Sequence, residues 1–158
     1  LMKKNILFVC LGNICRSPAA EAVFLNAIRL KGLEKYFYVD SAGTGSWHVG
    51  KDADHRMRDA AEKRGIYITS KARQININDF QLFDLIFTMD NTNLSDVKLL
   101  SQKVVDKNIA KIYPILSYSS QSHEIEVPDP YYGGEDGFDI VLDLLNDAID
   151  GLIESLID

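Results

Sequence analysis

Cys10 and Arg16 are the side chains with the clearest capacity for chemistry, and they lie six positions apart in the segment V-C-L-G-N-I-C-R-S at 9–17. A thiolate is a strong nucleophile, and a guanidinium donates a fork of hydrogen bonds that matches two phosphoryl oxygens. An apolar run at 5–9 precedes the segment, and an alanine-rich run that begins at Pro18 follows it. This order predicts a tight turn between a strand and a helix, able to bind a phosphate-sized dianion and attack its phosphorus.

The loop inside this segment consists of Leu11, Gly12, Asn13, Ile14 and Cys15. Glycine and asparagine tolerate left-handed backbone angles, so the loop is expected to curl with its N–H groups inward, toward a helix N-terminus that favours anions. We expect the backbone of 11–16 to bind phosphoryl oxygens, and the Ser17 hydroxyl to donate to a Cys10 thiolate. Cys10 alone would be interpreted as a small buried apolar residue, but its combination with Arg16 and this loop favours a catalytic interpretation.

Strand-like apolar runs alternate with helix-like patterns along the chain, which is typical of a parallel sheet. Strands are predicted at 6–10, 36–41, 84–89 and 109–115, and helices at 18–31, 52–64 and 91–101. Ser17 is predicted to cap the first helix, with Pro18 at its first position. A closing helix is predicted from residues that share one apolar face, namely Phe138, Val141, Leu142, Leu145, Ala148, Ile149, Leu152, Ile153 and Leu156.

These elements predict an α/β fold in one domain, 2–158. It is expected to be a single three-layer domain with a four-stranded parallel sheet, helices on both faces and a phosphate loop after strand 1. Leu1 precedes Met2 and is expected to be a cloning remnant. Ligands of such sheets bind at the carboxyl ends of the strands, which is where Cys10 falls.

Composition and charge narrow the class of protein. The 158 residues are 46% hydrophobic and carry a formal net charge of -6, which argues against nucleic acid as a partner because a phosphate backbone requires a basic surface. The sequence contains no apolar stretch of membrane-spanning length and no signal peptide. Two cysteines, both in the turn, do not form a secreted disulfide framework, so we expect a cytoplasmic protein.

Over essentially its whole length the chain resembles the low-molecular-weight protein tyrosine phosphatase (acid phosphatase) family. The motifs that carry the resemblance are V-C-L-G-N-I-C-R-S-P at 9–18, D-S-A-G-T at 40–44, Trp47, K-A-R-Q at 71–74, T-M-D at 88–90 and D-P-Y-Y at 129–132. The first and the last of these, taken together, are highly specific for the family.

The resemblance implies hydrolysis of phosphotyrosine in two steps, without a metal or a cofactor. Cys10 would attack the phosphorus to form a phosphocysteine while Arg16 and the loop amides bind the equatorial oxygens. Asp129 would protonate the leaving phenolate and then act as base toward water. From the residues alone, Asp129 lies in a loop stiffened by Pro128 and Pro130, and an ordinary surface turn is the more common interpretation of such an Asp-Pro pair.

The resemblance also implies roles for residues around the turn. Asn13 and Ser41 would hold the loop in its curled form, and Cys15 would form a reversible disulfide with Cys10 that protects it from irreversible oxidation. One departure concerns Ser70, since many family members carry at this position a histidine that hydrogen-bonds the loop from behind. The substrate cleft is expected to be lined by Trp47, His48, Tyr131 and Tyr132.

Three alternatives to a tyrosine phosphatase fit these residues less well. An arsenate reductase of the same fold needs further cysteines after Cys15, and the chain has none. A phosphoarginine phosphatase usually carries threonine in place of Ile14 and lacks the double tyrosine. A non-catalytic phosphate-binding module would not need Asp129 to reach the turn. We therefore expect a monomer that acts on phosphotyrosine proteins or peptides and binds inorganic phosphate or similar oxyanions in its loop.

Overall fold

The computed structural model describes residues 2–131 and 133–158, and its centre is a parallel four-stranded sheet. The strands are β1 (Lys4–Cys10), β2 (Phe37–Gly43), β3 (Leu85–Thr88) and β4 (Lys111–Pro114), in the order β2-β1-β3-β4. The register pairs Cys10 with Gly43 on one side, and Val9 with Thr88 on the other. The carboxyl ends of β1, β2 and β3 therefore meet at one edge, and Cys10 lies at that edge.

The helices connect the strands and cover both faces of the sheet. They are α1 (Arg16–Leu30), α2 (His55–Glu62), α3 (Asp79–Leu82), α4 (Asn91–Ser101) and α5 (Gly137–Ile157). Short 3-10 turns at Glu34–Tyr36 and Ile115–Tyr118 precede β2 and follow β4. Within 2–131 and 133–158, none of the helices has the length and apolar character needed to cross a membrane.

Strand β1 is buried on both faces, which explains why its sequence is apolar without alternation. Ile6, Phe8 and Cys10 belong to a core shared with α1, α2 and α5, whereas Leu7 and Val9 belong to a second core shared with α3 and α4. Each fully buried side chain of this size contributes roughly 1.5–3 kcal/mol to stability. Packing on both faces therefore fixes the end of β1, from which the candidate site begins.

The predicted α/β fold is confirmed, including the parallel four-stranded sheet and the loop after the first strand. Helix α4 also has the predicted bounds. The prediction that Ser17 caps α1 is wrong, because α1 begins at Arg16 and the Ser17 hydroxyl bonds instead to Cys10 and Ala42. Pro18 is consequently the third helical residue, where its missing N–H still falls in the unpaired first turn.

Some element boundaries also differ from the predicted ones. Helix α2 begins three residues later than expected because the Asp54 side chain accepts a hydrogen bond from the Arg56 backbone and caps it there. The short α3 was not predicted, since four residues carry no helical periodicity. The apolar face predicted for the closing helix is buried from Phe138 to Ile153, as expected.

Candidate active site

The loop between β1 and α1 curls around the sulfur of Cys10. The Asn13 backbone N–H donates to Cys10 Sγ at 3.3 Å, and Ser17 Oγ lies 3.0 Å from the same sulfur. Asn13 has a left-handed backbone with φ of 57°, the conformation that the sequence predicted for this part of the loop. Hydrogen-bond donors therefore face the sulfur from two directions, an arrangement that stabilises a thiolate.

The side chain of Asn13 holds the loop in this form from behind. Its Nδ2 donates to Ser17 Oγ at 2.7 Å and to Ser41 Oγ at 3.0 Å, and its Oδ1 accepts from the Arg73 backbone N–H at 2.9 Å. Since Ser17 Oγ already accepts from Asn13, its single proton is directed to Cys10 Sγ at 3.0 Å or to the Ala42 carbonyl at 3.3 Å. Asn13, Ser17 and Ser41 thus come together in the supporting positions that the resemblance implied.

A partly buried carboxyl group, Glu21, extends this network and was not found from the sequence. Ser41 Oγ donates to Glu21 Oε1 at 2.6 Å, and the Ser70 hydroxyl forms a further hydrogen bond with the Glu21 carboxyl. Burial raises the pKa of Glu21 above its ordinary value, and nearby Asp40 adds to this, although the two serine hydrogen bonds oppose it. Ser70, the position at which the family resemblance implies histidine, is therefore linked to the loop through Glu21 and Ser41.

The end of β2 supports the loop through its backbone. Thr44 N–H donates to the Cys10 carbonyl and Gly45 N–H to the Leu11 carbonyl, both at 2.9 Å. A Cβ atom at Gly43 would lie 2.7 Å from the Leu11 carbonyl oxygen, a distance too short for any Cβ atom to adopt without displacing the backbone. Glycine at 43 is therefore required for the close approach of the two backbones.

Arg16 is buried, and its guanidinium is held in a fixed orientation. Its Nη1 donates to Asp90 Oδ2 at 2.6 Å and to the Val127 carbonyl at 3.1 Å. Burial by itself lowers the pKa of Arg16, but the neighbouring Cys10 sulfur and the hydrogen bond to Asp90 raise it above its ordinary value, so the side chain stays cationic. The remaining guanidinium donors are thus aimed by the protein before any anion binds.

Asp90 is a second residue that sequence reasoning missed. It ends the T-M-D segment after β3, and its Oδ1 also accepts from Asn93 N–H at 2.8 Å as the N-cap of α4. The available signal was its position, because a polar residue just after β3 lies beside the end of β1 in a parallel sheet. One carboxylate therefore both starts a helix and orients Arg16.

Asp129 reaches the site from the loop before α5. Its Oδ2 lies 3.9 Å from Arg16 Nη2, and its Oδ1 accepts from Tyr131 N–H at 3.0 Å. The same loop is attached to the sheet through Val127, whose N–H donates to the Met89 carbonyl at 2.8 Å. The Asp129 side chain remains 38% exposed, so it is open to a substrate.

A cavity of about 400 Å³ opens above the loop. Trp47, 67% exposed, and Tyr131, 39% exposed, contribute aromatic surface, and His48 packs against Gly12. Tyr132, predicted as a further wall residue, lies outside the described residues. The cavity is lined by Cys10, Leu11, Gly12, Ile14, Cys15, Arg16, Trp47, His48, Asp129 and Tyr131.

Arg56 is a third residue near the cavity that the sequence did not reveal. Its guanidinium lies 5.3 Å from the ring centroid of Tyr131 and 4.9 Å from that of Phe138. Asp54 binds the same guanidinium at 2.9 Å. This cation–π stack fixes the Tyr131 side of the cavity to α2 and α5.

Cys15 is buried in the cavity wall, and both cysteines are free. Burial, followed by the negative charge of Asp54, raises the pKa of the Cys15 thiol far above its ordinary value. Cys15 therefore remains a protonated thiol at neutral pH. In the described part of the chain, no group of three or more histidine, cysteine or acidic side chains is arranged to hold a metal ion.

Comparison with known proteins gives concordant matches. Residues 5–158 match the model of the low molecular weight phosphotyrosine protein phosphatase family. The low molecular weight phosphotyrosine protein phosphatase of Schizosaccharomyces pombe is 47% identical over 140 residues, which cover 87% of this chain and 88% of that protein. The crystal structure of the Entamoeba histolytica protein tyrosine phosphatase with Hepes in the active site has a TM-score of 0.92 and 44% identity, covering 98% of this chain and 97% of that one.

A further solved structure is that of DARP, the Drosophila arginine phosphatase, with a TM-score of 0.92 and 31% identity. The match covers 97% of this chain and 98% of the DARP chain. The fold is thus shared by proteins named for different phosphorylated residues. The match to the family model and the identity to the yeast relative nevertheless define the class. The chain belongs to the low molecular weight phosphotyrosine protein phosphatase family.

Proposed function

We propose that this chain is a phosphoric monoester hydrolase that removes phosphate from phosphotyrosine and small aryl phosphates through a phosphocysteine on Cys10. The observation that carries the proposal is the convergence of three groups on one cavity. These are a sulfur that accepts from Asn13 N–H, a buried guanidinium held by Asp90, and the carboxyl of Asp129 at 3.9 Å from that guanidinium. They correspond to a nucleophile, an anion-binding group and a proton donor.

In the first step the Cys10 thiolate attacks the phosphorus. The S–P bond forms as the bond between phosphorus and the phenolic oxygen breaks, and protonated Asp129 gives its proton to the departing oxygen. Arg16 and the loop N–H groups bind the equatorial oxygens, and Asp90 keeps the guanidinium oriented throughout. Most of the catalysis is then positioning and electrostatic stabilisation.

In the second step water attacks the phosphocysteine. Asp129, now a carboxylate, takes a proton from that water, the S–P bond breaks, and inorganic phosphate leaves. The Cys10 thiolate that departs is stabilised by the Asn13 N–H and the Ser17 hydroxyl. No metal ion takes part in either step, because Arg16 and the loop amides supply the positive charge.

Phosphotyrosine is favoured over phosphoarginine by the walls of the cavity. Trp47 and Tyr131 present aromatic surface on the cavity, which suits a flat phenyl ring. Ile14, which also lines the cavity, is apolar where phosphoarginine phosphatases usually carry threonine. Inorganic phosphate and similar oxyanions are expected to compete for the same loop.

We further propose that Cys15 protects the nucleophile. A peroxide would oxidise Cys10 to the sulfenic acid, and Cys15 would then attack that sulfur, releasing water and forming a disulfide. The raised pKa of the Cys15 thiol makes this closure slow at neutral pH and faster at alkaline pH. A Cys15→Ser variant should recover less activity than wild type after peroxide followed by dithiothreitol, and equal recovery would refute the role.

The cellular setting follows from the same chemistry. A free nucleophilic thiol is most readily kept reduced in a reducing compartment, which supports a cytoplasmic location. Phosphotyrosine proteins or peptides are the proposed partners. The site is built within one chain, which supports activity as a monomer.

The test compares hydrolysis of p-nitrophenyl phosphate and of phosphotyrosine in EDTA by wild type, Cys10→Ser, Asp129→Ala and the control Asp136→Ala. Asp136 is exposed and lies outside the cavity. Cys10→Ser should abolish turnover and Asp136→Ala should leave it unchanged. Loss of a general acid costs about 10²–10⁴-fold. Asp129→Ala should lose more activity on phosphotyrosine than on p-nitrophenyl phosphate. The phenol of tyrosine has a pKa of about 10 and is the poorer leaving group of the two.

The outcome distinguishes the candidate functions. Phosphate binding without turnover by reduced wild type would indicate a binding module. Phosphoarginine is assayed in parallel, and its faster hydrolysis relative to phosphotyrosine would indicate the arginine class. Equal losses of Asp129→Ala on both substrates would exclude Asp129 as the proton donor.

A further inference from the structure

A second cavity adjoins the catalytic one at Trp47 and Leu11. Its volume is about 280 Å³, and it shares Leu11 and Trp47 with the catalytic cavity. Ligand sites for whole small molecules usually occupy about 300–1,000 Å³. The second cavity is therefore of a size to hold one side chain beside a bound phosphotyrosine rather than a separate ligand.

Trp47 lines both cavities, and its indole is held against the backbone of the β2 end. A Cβ atom at Gly45 would lie inside the indole ring, so the ring packs directly on the Gly45 backbone. That backbone is itself fixed, because Gly45 N–H donates to the Leu11 carbonyl at 2.9 Å. The indole is thus positioned by the phosphate loop, and a ring bound in the catalytic cavity shares this indole with the second cavity.

The lining of the second cavity is mainly apolar with one charge. Leu11 is partly exposed, Ile75 is buried, and Leu100 is half-buried at the edge of the second core. Asp96 lies on α4 four residues before Leu100, which places both on one face of that helix. An acidic side chain entering here would meet the Asp96 carboxylate.

We propose that this cavity binds the side chain of an apolar residue next to phosphotyrosine in the substrate peptide, an inference that rests on the function proposed above. Adjacent Cα atoms of a peptide are about 3.8 Å apart, so a neighbouring residue can pass the edge of one indole. Leu100 and Ile75 then select for a leucine-sized side chain, and Asp96 selects against glutamate or aspartate at the same position. Small aryl phosphates do not reach this cavity.

The experiment uses phosphotyrosine peptides with glycine at positions −2 to +2, with leucine placed at one of these positions at a time. Wild type, Leu100→Gln, Asp96→Asn and the control Leu99→Gln are compared by kcat/KM. Leu99 is on the same helix and exposed but does not line the cavity. Binding of the same peptides to Cys10→Ser is measured by fluorescence polarisation, so that the preference is tested even without turnover.

Leucine at one position should improve kcat/KM in wild type by about tenfold, the order that a partly open apolar pocket supports. Leu100→Gln should reduce this preference to within about twofold, while Leu99→Gln retains it and both hydrolyse p-nitrophenyl phosphate like wild type. Glutamate at the same position should be disfavoured, and Asp96→Asn should relieve this.

Two results would overturn the subsite. One is the absence of a leucine preference both in kcat/KM and in binding to Cys10→Ser. The other is a preference that survives Leu100→Gln, or that Leu99→Gln reduces equally. If no peptide and no aryl phosphate is hydrolysed but leucine still improves binding, the proposed function fails and the subsite stands.

Discussion

Replacing Asp90 with serine separates the two tasks of this carboxylate. Serine is as good an N-cap as aspartate, so the start of α4 should be preserved. The change removes the acceptor that binds Arg16 Nη1 at 2.6 Å and leaves Arg16 with the Val127 carbonyl. The Arg16 side chain is only 4% exposed, so its charge would remain in a poorly hydrated position, with the more distant Asp129 carboxylate at 3.9 Å as its counterion.

The expected size of the effect follows from this burial. Removing one partner of a buried ion pair costs about 3–5 kcal/mol, and because Asp90 is partly exposed we expect roughly 2–3 kcal/mol of lost stability. A mispositioned donor for the transition state typically lowers kcat by about 10²–10³-fold, and we expect a similar loss of kcat/KM here. The control is Asp143→Ser, which removes the exposed carboxylate that pairs with Arg64. This change should lower the free energy of unfolding by at most about 1 kcal/mol and leave activity unchanged.

The assay combines urea unfolding with kinetics on p-nitrophenyl phosphate. Asp90→Asn should retain more activity than Asp90→Ser, because the amide oxygen still accepts from Arg16. If Asp90→Ser keeps activity within about twofold of wild type, Asp90 does not orient Arg16 for stabilisation of the transition state. Equal losses in Asp143→Ser would show that the effect is not specific to the site.

Three further predictions concern the support of the loop and the fold. Burial raises the pKa of Glu21 in the folded protein above its ordinary 4.5, so protonated Glu21 stabilises the fold fully below pH 4.5, and this stability is lost as the pH rises through the folded pKa. The free energy of unfolding of Glu21→Gln, measured in urea across this pH range, should lack that decrease. Equal pH dependence in wild type and Glu21→Gln would refute the prediction. Gly43→Ala should lower both the Tm and kcat/KM, because its Cβ would meet the Leu11 carbonyl at 2.7 Å, while Gly133→Ala, whose Cβ has no neighbour closer than 3.6 Å, should do neither. Gly151→Ala should lower the Tm with unchanged kcat/KM for the folded fraction, since its Cβ would clash with the Tyr118 carbonyl away from the cavity, and a selective loss of activity would contradict this.

The sequence predicted the fold well because its signals were local. A continuous apolar run marked β1, and alternating elements implied the parallel sheet. The cap of α1 was predicted wrongly because the Ser17 hydroxyl turns to Cys10, an interaction that exists only once the loop has folded. Propensity for an N-cap could not reveal this competing partner.

Residue spacing predicted the part of the candidate site that is contiguous in sequence, and the family resemblance added distant residues such as Ser41 and Asp129. Cys10, Asn13 and Arg16 lie on one loop, so their spacing carried the information. Glu21 and Asp90 reach the site only through contacts with Ser41 and Arg16 in the folded chain. A carboxylate on a helix or after a strand has an ordinary sequence appearance, and only the sheet order brings it to the loop.

The measurement that tests the central claim most directly is identification of the phosphorylated residue. Wild type and Asp129→Ala are mixed with a ³²P-labelled phosphotyrosine peptide, quenched within milliseconds and analysed by mass spectrometry of the peptide that contains Cys10. The account predicts a phosphate on Cys10 Sγ at a level that depends on substrate, and none in Cys10→Ser. Label on another residue, or turnover by Cys10→Ser, would contradict it.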